Sequence, residues 1–569
     1  MASGVSFDAG RLQLASNVHL ASMPAARLDH TAIELHKVTP IMLLIGVILV
    51  LFAWLPGEPF RLEQYDLPKD IAFAALGATC GLSLMFSRDQ WINLRVDAPM
   101  IAVIAWGSVL GQTVAIDVHA GWRLTGCFAA GALAFFSARR VGATSIVTHV
   151  HTALCGVIVV LFLLVLFEGF GILEFISAPG RRPGATLGNR NLAARVACLS
   201  LPLMWRLIVA AKQRIATCFF AVAVALSAAA IAMSRSRGAW LVSGCLLLVL
   251  PTVITVDRHY GKTVASRTYV WALAAVVGAA FALFVPNRLG WRPSDFGNSA
   301  ARLLDYRFGT GRGRLLQAQT SWRMIQAMGL EGVAPGNWSI LYPRFATTDD
   351  PSVNANAFYP GPQVPRNDLL PFTAEYGVGG LVLAFVAIAL GGRRAARMLV
   401  SRDDTMRECG VVIISVGCAA LALGFFDSVF RVAPTLMLLA VLLGLFVGEA
   451  NARLTTAPRD RPGGTAARSI VVGLTFASIV FGVSSTRDFL SFRIIRTLTT
   501  LDDLYRAVRI APTNIEARML LSFALLGAKR CDLAEPHLAA AARLQPWSGA
   551  VRNVRLECER IGAFDAPRF

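Results

Sequence analysis

The sequence predicts an all-α, polytopic helical membrane protein of about 12–13 transmembrane helices, with one large outer loop and a C-terminal helical-repeat module. Three observations predict it. The 569 residues are 55% hydrophobic and only 16% charged, where a soluble domain carries nearer ~25% charged residues. The mean hydropathy is +0.57. Apolar runs long enough to cross roughly 30 Å of hydrocarbon recur along most of the chain.

Those runs fall near 40–56, 71–86, 98–116, 122–138, 150–172, 192–211, 215–233, 238–256, 268–286, 371–391, 409–426, 432–449 and 468–485. Gly, Pro and a lone Arg195 occur within them, as is common where membrane helices pack on one another. Residues 1–39 are polar and mixed in charge and precede a long first run. They are expected to form a cytoplasmic tail rather than a cleavable signal peptide. Residues 40–485 form the membrane domain.

Charge sets the expected orientation. Lys and Arg concentrate in alternate loops, most clearly at Arg139-Arg140, Arg393-Arg394 and the Arg459–Arg468 stretch, which places them and the amino terminus inside. The first outer loop is acidic, with Glu58, Glu63, Asp66 and Asp70. Outside then lie a large loop at 287–370, several short arginine loops and the tail at 486–569. The formal charge of +19 could suit nucleic acid, but loop anchors between apolar spans account for most of it, and no nucleic-acid partner is expected.

The tail reads as helical repeats. Ala507-Val508-Arg509-Ile510-Ala511-Pro512 recurs as Ala541-Ala542-Arg543-Leu544-Gln545-Pro546, and 546 minus 512 is 34, the tetratricopeptide period. A plain helical hairpin is the simpler alternative. Two repeats are few for independent stability, so the tail is expected to rest on the membrane domain or on a protein partner. Of the ten cysteines, most fall in apolar spans as small packing residues. Cys531 and Cys558, in the tail, could form a disulfide in an oxidising compartment.

Arginines on the outer side are the candidate chemistry. Arg181, Arg182, Arg190, Arg235, Arg237, Arg366 and Arg431 all fall where the positive-inside rule disfavours them. The loop Pro179-Gly-Arg-Arg-Pro-Gly-Ala-Thr-Leu-Gly-Asn-Arg-Asn191 combines planar guanidinium forks suited to phosphate with Gly184 and Gly188, which permit tight turns and close approach. Asn189 and Asn191 can cap the next helix, whose N-terminus attracts anions. Ser234-Arg235-Ser236-Arg237-Gly238 lies at a helix junction, where contact with lipid headgroups is the plainer alternative to substrate. Only five of the 54 basic residues are lysine, so position rather than arginine identity carries the inference.

The large loop holds an amphipathic segment, Arg314 to Met328, suited to a helix on the membrane surface or on the bundle. It continues through Gly332-Val-Ala-Pro-Gly336-Asn-Trp338 and ends in Arg366-Asn367-Asp368, just before Phe372-Thr-Ala-Glu375-Tyr-Gly377-Val-Gly-Gly380. Trp338, Tyr342 and Phe358 could stack on sugars or merely belong to the membrane interface. Asp427 and Arg431 are expected to pair at a helix junction.

In their order, these motifs resemble the O-antigen ligase and O-antigen polymerase superfamily of bacterial inner membranes, over roughly residues 150–450, with a repeat tail similar to that of many members. The resemblance implies metal-independent, inverting glycosyl transfer on the periplasmic face, without a cofactor. The donor is an undecaprenyl-diphosphate-linked glycan, and the acceptor a growing glycan, lipid A-core or a protein. Fixed cations must then stabilise the diphosphate leaving group, a role for Arg181, Arg182, Arg190, Arg235 and Arg237, with Arg366, Asn367 and Glu375 as catalytic candidates. Ligases of the family typically carry histidine before the asparagine. Here the position is Arg366, which cannot act as a base. Glu375, Asp368 or Asp427 would have to activate the acceptor, or no strong base does, and the arginine is similar to the polymerase pattern. A polysaccharide or lipid transporter or flippase, and a membrane scaffold, are the competing classes. A transporter would place its unusual residues near the midplane and show inverted repeats, and neither is seen in the sequence.

Overall fold

The computed structural model describes residues 25–87, 92–256, 260–301, 309–454, 464–497 and 500–561. The amino-terminal tail up to residue 24 and the basic stretch at Arg459 and Arg461 lie outside the described residues. Nine long helices come first: α1 (Ala25–Phe52), α2 (Glu63–Met85), α3 (Leu94–Thr113), α4 (Val118–Gly142), α5 (Val147–Phe170), α6 (Arg190–Ala210), α7 (Arg214–Ser234), α8 (Arg237–Val256) and α9 (Lys262–Phe284). The large loop carries α10 (Pro293–Ala301), α11 (Gly309–Met328) and α12 (Trp338–Phe345). The bundle resumes with α13 (Leu369–Leu399), α14 (Asp404–Phe426), α15 (Ala433–Leu454) and α16 (Thr465–Thr497). The tail adds α17 (Leu501–Ile510), α18 (Ile515–Gly527), α19 (Cys531–Leu544) and α20 (Gly549–Arg560). No β-strand occurs among the described residues.

Each expected apolar run coincides with a helix, and ten of these helices are long and apolar enough to cross a membrane. The protein is a multi-pass membrane protein. The described side chains of α1 give a shorter apolar stretch, Val38–Phe52. Helices α2 and α4 are less apolar and bury many small and polar residues against neighbours.

Close backbone approach, rather than bulk hydrophobicity, sets the packing, as expected where lipid is as apolar as leucine. Helices α4 and α15 meet at Gly142, Gly444 and Gly448. A Cβ added at Gly142 would stand 2.0 Å from the Leu445 carbonyl, and one at Gly448 would stand 2.0 Å from that of Arg139. Helix α6 occupies the axis of the bundle, with its whole apolar window enclosed. Its N-terminus therefore opens at the centre of one end of the molecule, where the loops after α5, α7, α9 and α14 also converge.

Two arginines at the opposite end are neutralised inside the protein. Arg139, expected as an exposed anchor, is buried and pairs bidentately with Asp97 at 2.9 and 3.1 Å. Arg206 bridges Glu408 at 3.0 Å and Glu449 at 3.3 Å. These arginines hold helices together instead of reaching headgroups.

The expected boundary at 485/486 falls inside a helix, because α16 continues unbroken to Thr497. The tail then folds back and, as expected, docks on the rest of the chain. Ile494 and Ile495 of α16 and Phe358 and Tyr359 of the large loop pack on its core. The Gly549 N–H donates to the Ala355 carbonyl at 2.6 Å, the Ser548 hydroxyl to the Ala357 carbonyl at 2.9 Å, and Arg61 pairs with Glu516 at 2.6 Å. Cys531 and Cys558 are joined, with Cα atoms 5.7 Å apart, which ties the start of α19 to the end of α20. A bond closing a loop of that length contributes about 3–4 kcal/mol in the chain-entropy account. Cys558→Ser should therefore expose α20 to limited proteolysis at temperatures where the oxidised tail resists it, and leave the bundle intact. Equal protease resistance in variant and parent would show that packing alone holds α20.

Candidate functional site

The loop between α5 and α6 is built around one carboxylate. Glu168, on the last turn of α5, is fully enclosed. It accepts hydrogen bonds from the N–H groups of Ile176, Ser177, Gly184 and Ala185, and from the Ser177 hydroxyl, all at 2.7–2.8 Å. Unbonded, a buried carboxylate would be very costly. Bonded this way, it dictates the path of the chain around it.

Helices α1 and α2 pin the loop from the other side. Lys69 Nζ donates to the Thr186 carbonyl at 2.6 Å, Tyr65 Oη to the Ile176 carbonyl at 2.6 Å, and the Thr186 hydroxyl to the Leu51 carbonyl at 2.9 Å. Gly184 and Gly188, expected to admit a ligand, instead admit the protein itself. A Cβ at Gly184 would meet the Asn189 backbone, and one at Gly188 (φ 68°) the Tyr65 ring. Asn189 caps α6 as expected, accepting from the Asn191 N–H at 2.9 Å, and the Arg190 N–H closes the loop onto the Arg181 carbonyl at 2.8 Å.

The arginines project from this frame in two groups. Arg190 and Arg235 share one indole, with guanidinium carbons 5.2 and 5.0 Å from the Trp291 ring. Arg235 also donates to Ser299 Oγ at 2.9 Å from a left-handed backbone (φ 53°) that terminates α7. For a bulky side chain that conformation is uncommon and marks a position whose surroundings enforce it. Arg237 starts α8 half-buried. Arg182 lies over Phe175 at 3.7 Å with Nε on the Ser177 carbonyl, so it braces the loop from within. Arg181 faces the other group: burial, and then the charge of Arg366, push its guanidinium below the usual range.

Arg366 reaches the same region from the end of the large loop. Its N–H is held by Gln317 Oε1 at 2.9 Å, and its half-exposed guanidinium lies 3.9 Å from Asp427 Oδ1. Arg195, buried in α6, lies 4.0 Å from that oxygen. Both separations exceed a direct hydrogen bond, so Asp427 sits between two guanidinium groups and is clamped by neither. The expected Asp427–Arg431 pair does not form. The chain turns after α14 and aims Arg431 inward, 2.8 Å from Glu375, whose other oxygen accepts from the Trp338 N–H at 3.1 Å. Burial alone would lower the Arg431 pKa, but Glu375 more than offsets this and holds it above the ordinary value.

Two expectations for this region need correction, those for Glu375 and for the aromatic residues. Glu375 is 1% exposed and committed to Arg431, so it cannot meet an acceptor. Asn367 bonds backbone only, donating to the Phe425 carbonyl at 2.8 Å and accepting from the Leu370 N–H at 2.9 Å. The aromatic residues are engaged elsewhere: Trp338 and Tyr342 are buried, and Phe358 packs on Phe523 of the tail. Just after Glu375, α13 breaks at Gly377 (φ 65°), where a side chain would strike the Leu330 carbonyl. Trp106 Nε1 takes up the Tyr376 carbonyl at 2.9 Å and the Val333 N–H the Ala374 carbonyl at 2.8 Å. The Gly332–Trp338 turn thus serves to fill a helix break.

Asp368 completes the arrangement by accepting from the N–H groups of Val429 and Phe430, which fixes the turn that carries Asp427 and Arg431. Burial raises its pKa to about 6, against those hydrogen bonds and the charges of Arg431 and Arg195. The sequence pattern did not reveal Glu168 or Trp291. Their signals were an acid at the end of an apolar run and an indole in an outer loop, both common on structural grounds alone. No family model and no curated protein matches the chain.

Two outcomes test this construction. Glu168→Ala would strand buried N–H donors, each worth about 1–3 kcal/mol, so its unfolding midpoint in detergent should fall by several degrees. An unchanged midpoint would show that the loop does not depend on the carboxylate. For Asp368, the folded pKa lies above the free value of 3.8. Folding therefore favours the protonated form, and that contribution is lost as pH rises through about 6. The unfolding midpoint of Asp368→Asn relative to the parent should be higher at pH 7.5 than at pH 5. A difference that stays level across that range would rule out titration of Asp368 there.

Proposed function

We propose that this protein is a glycosyltransferase that moves an oligo- or polysaccharide from undecaprenyl diphosphate to a growing glycan acceptor on the outer face of a bacterial inner membrane, as a polymerase of O-antigen or exopolysaccharide synthesis. The observation that carries this reading is the convergence of Arg181, Arg366, Arg190 and Arg235, from three separate segments, at one end of the bundle. Among the described residues Arg181, Arg190 and Arg235 form no ion pair, although the charge of Asp66 reaches Arg181, and Arg366 has only Asp427, at 3.9 Å. Fixed guanidinium groups in a partly dry site suit a diphosphate leaving group, whose charge grows in the transition state.

In the proposed step the acceptor hydroxyl oxygen attacks the anomeric carbon while the bond from that carbon to the diphosphate oxygen breaks. The electron pair leaves with undecaprenyl diphosphate, and Arg181 and Arg366 face the charge that develops. Of the three candidate carboxylates, Glu375 is sealed in and Asp368 is held by backbone N–H groups. Asp427 remains to take the hydroxyl proton and to hold Arg366 in place. Arg366 where a ligase carries histidine supports polymerase over ligase. A disulfide in the tail supports its placement in an oxidising compartment, and with it the outer location of the site. A transporter reading would draw on the broken helix α13, but that break is filled by Trp106 and the Gly332 turn.

Purified protein in nanodiscs, given undecaprenyl-diphosphate-linked repeat units and no nucleotide sugar, should yield longer glycans, with or without chelator. Arg366→Ala should cut turnover by about 10²-fold, the scale for one lost transition-state donor. A nucleotide-sugar requirement, or no product from any lipid-linked donor, would overturn the assignment. Transfer to lipid A-core or protein alone would replace polymerase with ligase or oligosaccharyltransferase.

A further inference from the structure

Helix α16 and the tail form a surface that the site does not use. The apolar run of α16 ends at 485, and the helix then rises to Thr497 before α17 returns along it. The return is fixed by Arg487 Nε, which donates to the Ile510 carbonyl at 2.7 Å, and by Asn514 Nδ2, 3.4 Å from Ser491 Oγ. Arg487 stands two residues past the run, about 3 Å along the axis. The corner between α17 and α18 is therefore level with the edge of the hydrocarbon. Helices α18 and α19 are antiparallel, so Arg518, near the start of one, and Arg543, near the end of the other, share that edge. Arg518 donates to the Pro512 carbonyl at 2.5 Å, and its guanidinium lies 3.4 Å from His537 Nδ1. Burial, and then the charge of Arg543, lower its pKa, so the two guanidinium groups are neighbours.

Charge in the tail is segregated along this axis. Asp502, Asp503, Asp532, Glu535, Glu557 and Glu559 lie at or toward the far end, where Arg530, Arg555 and Arg560 pair with Asp532, Glu535 and Glu557. At the near end Glu516 is taken by Arg61. Arg487, Arg509, Arg518 and Arg543 have no carboxylate partner among the described residues, and Leu490 beside them is 42% exposed. A basic edge with an exposed leucine at headgroup depth matches an anionic lipid surface, to which guanidinium forks offer bidentate phosphate contacts.

We infer that the near edge of the tail docks on the membrane by binding the phosphates of anionic phospholipids through Arg487, Arg509, Arg518 and Arg543. This assignment is independent of the reaction proposed above. The full chain in nanodiscs of phosphatidylcholine, with or without phosphatidylglycerol, tests it by hydrogen exchange across residues 505–520 and 540–548. Exchange there should be slower in the anionic discs, by roughly fivefold for each arginine engaged. The exposed pair Arg509→Gln/Arg543→Gln should shrink the lipid difference by roughly 25-fold and leave the unfolding midpoint in place. Equal exchange in both lipids, or a difference undiminished in the double variant, would overturn the proposal. Equal protection by soluble polyglutamate in phosphatidylcholine discs would also overturn it, in favour of an acidic polymer partner.

Discussion

Glu168 ends an apolar helix in a place that water does not reach, so the chain must supply the donors that water would have given. It does so with backbone: the N–H groups on both sides of the arginine loop turn inward to one carboxylate. The loop's outline follows from that demand, and the arginines point where the outline leaves room. Like charges brought this close repel one another, and a loose loop would relax by spreading them. A loop nailed to a buried anion cannot, and the Trp291 face offsets part of the repulsion by about 0.5–2 kcal/mol for each guanidinium.

Both ends of the bundle clamp helices with matched arginines, but only one also gathers arginines that no carboxylate closely matches. At one end Arg139 and Arg206 are matched by Asp97, Glu408 and Glu449 at hydrogen-bonding distance and serve as clamps between helices. At the other, Arg123 is matched closely by Asp70 and Asp488, Arg61 by Glu516 and Arg431 by Glu375, but Arg195 and Arg366 share one oxygen of Asp427 at longer range. The matched pairs leave nothing for a ligand. The unmatched arginines have donors to spare and a fixed geometry, which is the condition under which an anion gains most from binding.

The helices were legible because hydrophobic length is written in the sequence and lipid leaves the backbone few alternatives. Asn189 as a cap was legible because capping is local. The partners of Asp427, Arg431 and Glu375 were not. Asp427 and Arg431 are near in sequence, and proximity suggested a pair, but the turn fixed by Asp368 directs them apart. Glu375 read as a reactive acid because nothing local showed the Gly332 turn folding over it. Gly184 and Gly188 show the same limit: a sequence tells that the backbone is approached closely there, not whether a ligand or a tyrosine approaches it.

Helix α6 carries Arg190, Arg195 and Pro202, yet its whole apolar window is enclosed by other helices. No stage of the finished molecule exposes it to lipid, but its synthesis must. As it leaves the ribosome α6 is less suited to the bilayer than α5 or α7, and an arginine near one end adds to the cost of entering alone. It has to be carried in by α5, already in place, and roofed by α7 as that emerges. The order of assembly is thus set by the helix that ends up deepest, and a change that delays α7 would harm this protein during biogenesis, before the finished bundle exists.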